Sequence, residues 1–173
     1  MMKMLSKKLI LVSVLALSTG CASTTITNPG EQKDSLSIAD LPSDVLALAK
    51  RARPDLKFES ADMDIRNGIQ YYDVEGTNAQ GEEIELDIMQ DGQSWKIIEI
   101  QRDLEFAEVP ENVKAVYDAH VSAKPARIIE SDQDNGMIVY EFYVLNAKAT
   151  KQEKHEIMLE DGQAKYLDEE WKH

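Results

Sequence analysis

The chain has few of the residues on which several familiar classes of protein depend. It contains one cysteine in 173 residues, so it can form neither an internal disulfide framework nor a cysteine-based zinc cage. It has 19 Lys and Arg residues against 32 Asp and Glu, and this net charge of -13 argues against nucleic-acid binding, which needs clustered basic side chains. It also lacks a GxSxG motif, an HExxH pair and a glycine-rich phosphate loop. These absences predict a protein that is not an enzyme and uses no cofactor.

The candidate metal ligands in the sequence do not form a recognisable motif. The three histidines, His120, His155 and His173, show no paired metal-ligand spacing. Asp132–Gly136 resembles the start of a calcium loop, but its glycine comes at position five rather than six, and Tyr143 stands where the loop needs a Glu. A hairpin turn with flanking acids explains this segment better, so the sequence predicts no metal site.

Residues 1–20 are typical of a bacterial lipoprotein signal peptide. Three lysines precede the apolar run Leu9–Leu17, which is about half as long as a bilayer-spanning helix. The next residues, Leu17–Cys21, resemble the lipobox, in which small residues precede a cysteine that is acylated and becomes the mature N-terminus. Cys21 is therefore the predicted lipidation site, and its acyl chains are expected to anchor the protein to the membrane.

The residues after Cys21 predict where the anchored protein resides and how it is tethered. Ala22 stands where an Asp would resemble the inner-membrane retention signal, which favours the periplasmic side of the outer membrane if the host is Gram-negative. Residues 21–38 are polar, contain Pro29 and Gly30, and lack hydrophobic periodicity. They are predicted to form the lipidated N-terminus and a flexible spacer in the cell envelope.

The rest of the chain repeats one pattern. Leu41–Val45 returns as Val109–Val113, and Asn67-Gly68 returns as Asn135-Gly136 at the same spacing. In each copy, a Pro opens an amphipathic helical pattern, and three turn signals then separate four short strand-like runs.

This pattern predicts an α+β fold of two tandem units, residues 39–104 and 105–173. Each unit is expected to be a helix followed by a four-stranded antiparallel meander. Because a unit of this size buries only a modest share of its surface, the two meanders are expected to share one sheet with both helices on one face.

Both copies resemble PepSY-like domains. The shared features are the helix starts LPSDV and VPENV, a Pro about a dozen residues later, a Tyr-rich second strand and an Asp-Gly turn before the last strand. The tandem arrangement is similar in architecture to the beta-lactamase inhibitor protein. The resemblance covers essentially all of the folded part and implies a secreted, non-catalytic binding or inhibitory module. It supplies no catalytic residues.

One long strand is apolar on both of its faces. Met137–Leu145 is either a central strand whose second face is covered by neighbouring side chains, or part of an exposed binding surface. On the second interpretation, Tyr71, Trp95, Val139 and Tyr143 form a partner-binding face on the side of the sheet without helices.

The leading functional prediction is a lipid-anchored binding module of the cell envelope that inhibits or chaperones an exported hydrolase through its open sheet face. Two alternatives remain open at this point. One is an envelope structural or stress lipoprotein without a discrete partner. The other is a protein whose acidic surface binds a small ligand or a divalent ion.

Overall fold

Strands dominate the fold. The structure is a computed structural model that describes residues 34–145 and 152–172, and 53% of these residues lie in strands against 15% in helices. An average globular protein has more helix than strand. The strands are β1 (Asp34–Ser37), β2 (Lys57–Arg66), β3 (Ile69–Thr77), β4 (Glu83–Asp91), β5 (Ser94–Asp103), β6 (Arg127–Gln133), β7 (Ile138–Leu145), β8 (Gln152–Glu160) and β9 (Gln163–Leu167). Helix α1 (Ser43–Ala52) follows β1, and helix α2 (Glu111–His120) follows β5.

The described strands form one antiparallel sheet whose spatial order is the chain order, β1 to β9. The predicted α+β class with two tandem helix-plus-four-strand units is therefore wrong: the described residues form a single nine-stranded sheet with two short helices. The strands do not divide into two sets of four. A further strand, β1, precedes α1 and pairs with β2, and β5 pairs with β6 from Glu99↔Gln133 to Asp103↔Ile129, so the sheet is continuous across the expected boundary and its edge groups there are hydrogen-bonded.

The first strand comes from residues predicted to be part of the spacer. Asp34–Ser37 pairs with β2, and Leu36 packs against the adjacent hydrophobic core. The prediction of a flexible spacer is thus wrong for these four residues, because a single inward-facing apolar side chain does not produce a visible periodicity. Residues 21–33 of the spacer, which include Cys21, and the predicted signal peptide lie outside the described residues, whereas Ile38 packs against the same core as Leu36.

Two hydrophobic clusters lie beneath the helices. Val45 and Ala49 of α1 pack on the first cluster, and Val113 and Tyr117 of α2 pack on the second. Each helix begins directly after a Pro, whose missing N–H does not interrupt the helical hydrogen bonds at this position. Neither helix is long and apolar enough to cross a bilayer, and the same holds for all described residues.

Both helices lie on the same side of the sheet. The strand register connects Val74 in the first cluster to Ile138 beside the second through Leu86, Ile100 and Asp132, which are paired on successive strands. Because side chains alternate between the two faces of a strand, paired residues point to the same side. The opposite side of the sheet, called the helix-free face below, carries the intervening residues.

Candidate functional site

Carboxylate side chains cross the helix-free face in a row. Asp62, Asp73, Asp87 and Glu99 are paired on successive strands from β2 to β5, and Gln133 on β6 completes the row. Neighbouring strands lie about 4.8 Å apart, so these polar groups are close neighbours. All of them except Asp62 are buried, although no described helix covers this side of the sheet. The face therefore concentrates negative charge in a poorly hydrated environment.

Three carboxylates converge in the middle of this face. Asp73, Glu85 and Asp87 each provide an oxygen atom, and these three atoms all lie within 4.8 Å of one another. We call these three residues the carboxylate cluster. Burial, followed by the negative charges of Asp73, Glu85 and Glu99, raises the pKa of Asp87 well above its usual range. Asp87 is 7% exposed, and its buried Oδ1 atom receives no hydrogen bond from the described residues.

A second group of acids on the same face surrounds a lysine. Lys154 Nζ lies 3.3 Å from Glu141 Oε1, 2.7 Å from Glu156 Oε1 and 2.5 Å from Glu170 Oε1. Burial by itself lowers the pKa of Lys154, but the surrounding carboxylates, Glu141 foremost, outweigh it and raise the pKa above its usual value. The ammonium group therefore stays charged and compensates the acids around it.

The C-terminal residues reach this part of the face. The backbone N–H of Trp171 donates to Glu156 Oε2 at 2.6 Å, and its indole N–H donates to Gln133 Oε1 at 3.0 Å. Gln133 in turn donates to Glu99 Oε1 at 3.1 Å. These bonds fix the end of the carboxylate row that lies towards β6.

A pocket opens beside the carboxylate cluster and shares Glu85 with it. Its lining contains five acids, including Glu75, Glu83 and Asp103, and two basic residues, Arg102 and Arg127. Both arginines are already paired with acids: Arg102 bonds Glu130 at 2.7 Å, and Arg127 bonds Asp103 at 2.9 Å. The pocket is therefore acidic overall.

The structure places three of the four predicted face residues on the helix-free face. Tyr71 is half-buried, and the Arg66 guanidinium lies 4.6 Å from the centre of its ring. Tyr143 is also half-buried and donates a hydrogen bond to Glu141 Oε2 at 2.5 Å. Val139 is 1% exposed and offers no surface to a partner. Since Tyr71 and Tyr143 lie on β3 and β7, they are separated by the width of several strands and form no joint patch.

Trp95, the fourth predicted residue, lies on the other side of the sheet. Its ring packs against Tyr72 beneath α1, with ring centroids 5.2 Å apart, and its indole N–H donates to Asp44 Oδ2 at 2.9 Å. The reason is a bulge: Asp87 pairs with Glu99, but the next residue, Ile88, pairs with Ile97. The extra residue shifts the alternation by one, so simple counting assigns Trp95 to the wrong face.

Sequence reasoning missed the carboxylate cluster and the Lys154 group. Acids are frequent in this chain, so the closeness of Glu85 and Asp87 in the sequence is not a distinctive signal. Their convergence with Asp73 depends on the register between β3 and β4. The one available signal is that both acids stand at outward positions of a strictly alternating strand.

The fold defines the protein as a helix-flanked antiparallel sheet with buried acids on its helix-free face. A solved structure with a similar fold is that of a DUF2874 family protein from Bacteroides uniformis ATCC 8492. The two share 20% sequence identity and a TM-score of 0.53, over 73% of this chain and 89% of that one. At this identity the likeness shows a common fold. No protein-family model matches the chain, and no curated protein matches it either.

Proposed function

We propose that the protein is a lipid-anchored binding module of the cell envelope that holds an exported protein against its helix-free face. The lipobox-like residues ending at Cys21 support the anchor, and the resemblance to PepSY-like domains supports a binding role without catalysis. The observation that carries the proposal is the acidic pocket, because it gives this face a defined place for a partner side chain.

The charge of the face indicates a basic partner. Glu75 and Glu83 are exposed at the pocket, whereas the two arginines of its lining are already paired with acids. A Lys or Arg side chain of a partner therefore meets uncompensated negative charge there. Complementary charge of this kind speeds association and selects partners.

The anchor predicts the distribution of the protein in cells. Replacing Cys21 by Ala is expected to abolish incorporation of radiolabelled palmitate and to move the protein from the membrane fraction to the soluble fraction, because the acyl chains provide the membrane affinity. Ser23→Ala is the matched control and is expected to retain both the label and the membrane location. A Cys21→Ala protein that still sediments with membranes would contradict the anchor.

The partner-binding prediction is best tested by site-specific photo-crosslinking in intact envelopes. A crosslinker at Glu75, on the helix-free face, is expected to capture a protein that the same crosslinker at Asp118, on exposed α2 surface, does not. The captured protein is then purified and its affinity measured. We expect the affinity to fall at least tenfold when NaCl is raised from 50 to 300 mM, because salt screens charge attraction. The Glu75→Lys substitution is expected to lower the affinity equally, because it reverses a charge on this face. Equal capture at both positions, or an affinity that changes neither with salt nor with Glu75→Lys, would refute the proposed binding face.

A further inference from the structure

The β3–β4 and β7–β8 hairpins present corresponding acids on the helix-free face. Asp73 pairs with Asp87 in the first hairpin, and Glu141 pairs with Glu156 in the second. Both pairs lie on adjacent antiparallel strands, and all four side chains are largely buried. Each hairpin thus holds two carboxylates next to each other in a poorly hydrated place, where their mutual repulsion is strong.

The two hairpins differ at the position that compensates this charge. Two residues before Glu156 on β8 stands Lys154, whose ammonium group contacts both acids of its hairpin at 3.3 and 2.7 Å. Two residues before Asp87 on β4 stands Glu85, on the same face of the sheet. The position that supplies a positive charge in one hairpin therefore supplies a third carboxylate in the other.

We propose that Asp73, Glu85 and Asp87 bind a divalent cation of the Ca²⁺ type, which takes the role that the Lys154 ammonium has in the other hairpin. The three oxygen atoms of the cluster lie within 4.8 Å of one another, so a single ion can contact all three. Ca²⁺ binds such oxygens at about 2.4 Å in a flexible geometry, whereas Mg²⁺ demands near-ideal octahedral geometry and gives up its waters reluctantly.

The chemistry of the site points to the same class of ion. Carboxylate oxygens are hard ligands that suit Ca²⁺, Mg²⁺ and Mn²⁺ rather than Zn²⁺, which favours nitrogen and sulfur. Asp87 Oδ1 is a buried acceptor without a hydrogen-bond donor among the described residues, so a cation would satisfy it. Half-buried Glu85 also lines the adjacent pocket, which gives an ion a path from solvent.

This inference goes beyond the proposed binding of a partner protein, and it is tested on the purified protein alone. Thermal unfolding of the mature full-length lipoprotein in detergent is measured in EDTA and in 5 mM CaCl₂, with isothermal titration of CaCl₂ in parallel. We expect one Ca²⁺ per chain with Kd of about 10⁻⁴–10⁻³ M, as in other extracellular modules, and a Tm raised by several degrees. Equal MgCl₂ is expected to give a smaller shift.

The decisive variant is Glu85→Lys, which places an ammonium group where the second hairpin has one. We expect its Tm in EDTA to exceed that of the wild type, and its Tm to be unchanged by Ca²⁺. Glu83→Lys is the matched control, because Glu83 lies on the same strand and face but outside the cluster, and it is expected to keep the Ca²⁺ response.

Three results would overturn the proposal. The first is a wild-type protein without a thermal shift or binding heat at 5 mM CaCl₂. The second is a loss of the response in Glu83→Lys equal to that in Glu85→Lys, which would indicate diffuse attraction to an acidic surface. If Glu85→Lys does not fold, Glu85→Gln replaces it and is expected to weaken Ca²⁺ binding at least tenfold. The third overturning result is a Glu85→Gln protein whose affinity for Ca²⁺ equals that of the wild type.

Discussion

Replacing Lys154 by Met is expected to lower the free energy of unfolding by about 3–5 kcal/mol at neutral pH, because removal of one partner leaves buried charges uncompensated. The ammonium group of Lys154 contacts Glu141, Glu156 and Glu170, and the first two are buried or nearly so. Methionine retains most of the packing volume, so the loss reports charge rather than a cavity. Urea unfolding of the two proteins measures the difference.

The same variant is expected to regain much of its stability in mild acid. Burial raises the pKa of Glu141, and the charge of Lys154 opposes that rise, so the variant raises this pKa further. A carboxylate with a raised pKa in the folded state binds its proton more tightly there than in the unfolded chain. The stability of the variant therefore falls as the pH rises above the pKa that Glu141 has in the unfolded chain, and it returns on acidification. An equal deficit at pH 5 and pH 7.5 would contradict this explanation, and Lys154→Met/Glu156→Gln is expected to be less destabilised than Lys154→Met.

Phe142→Ala is expected to have an effect of similar size by a different cause. Phe142 is fully buried in the second cluster, and its ring stacks on Tyr117 with ring centroids 4.2 Å apart. Truncation removes buried apolar surface and leaves a cavity, which typically costs about 3–5 kcal/mol.

Phe106→Ala is the control for Phe142→Ala. Phe106 lies at the half-buried edge of the same cluster, 6.3 Å from the Tyr117 ring, and its loss is expected to cost less than half as much. Chemical denaturation at pH 7 measures both variants. Unlike Lys154→Met, Phe142→Ala is expected to keep its deficit at pH 5, and equal losses for the two phenylalanines would contradict the cavity explanation.

Local features of the fold could be predicted from the sequence because they depend on neighbouring residues. Asn67 and Gly68 both have positive φ, 53° and 81°, as the Asn-Gly dipeptide indicates for a two-residue hairpin. The helix starts after Pro42 and Pro110 are equally local signals. At Asn135-Gly136 only the glycine has positive φ, since Gly136 closes a longer turn from Gln133 to Met137.

Strand registers between distant residues could not be predicted. A shared sheet was expected from the small size of each unit, but the register of β5 on β6 has no turn signal, because α2 separates the two strands in the chain. Because of the bulge on β5, the residues before it lie on the opposite face from the one that simple alternation predicts, and Trp95 therefore lies beneath α1. The candidate site could not be predicted for the same reason. Asp73 lies next to Glu85 and Asp87 only because of the strand register, and Lys154 has no sequence signature beyond its charge.

The chain-ordered sheet also bears on how the protein acquires its structure. Every described strand pairs with the strand that precedes or follows it in the chain, so no described strand is inserted between two strands that come earlier or later. Folding rates rise as contacts become more local, because a short loop loses less entropy on closing. A chain of this topology can form its hairpins one after another from either end. Each described strand finds its partner in the next element of the sheet order, which shortens the time that unpaired strand edges are exposed to other chains.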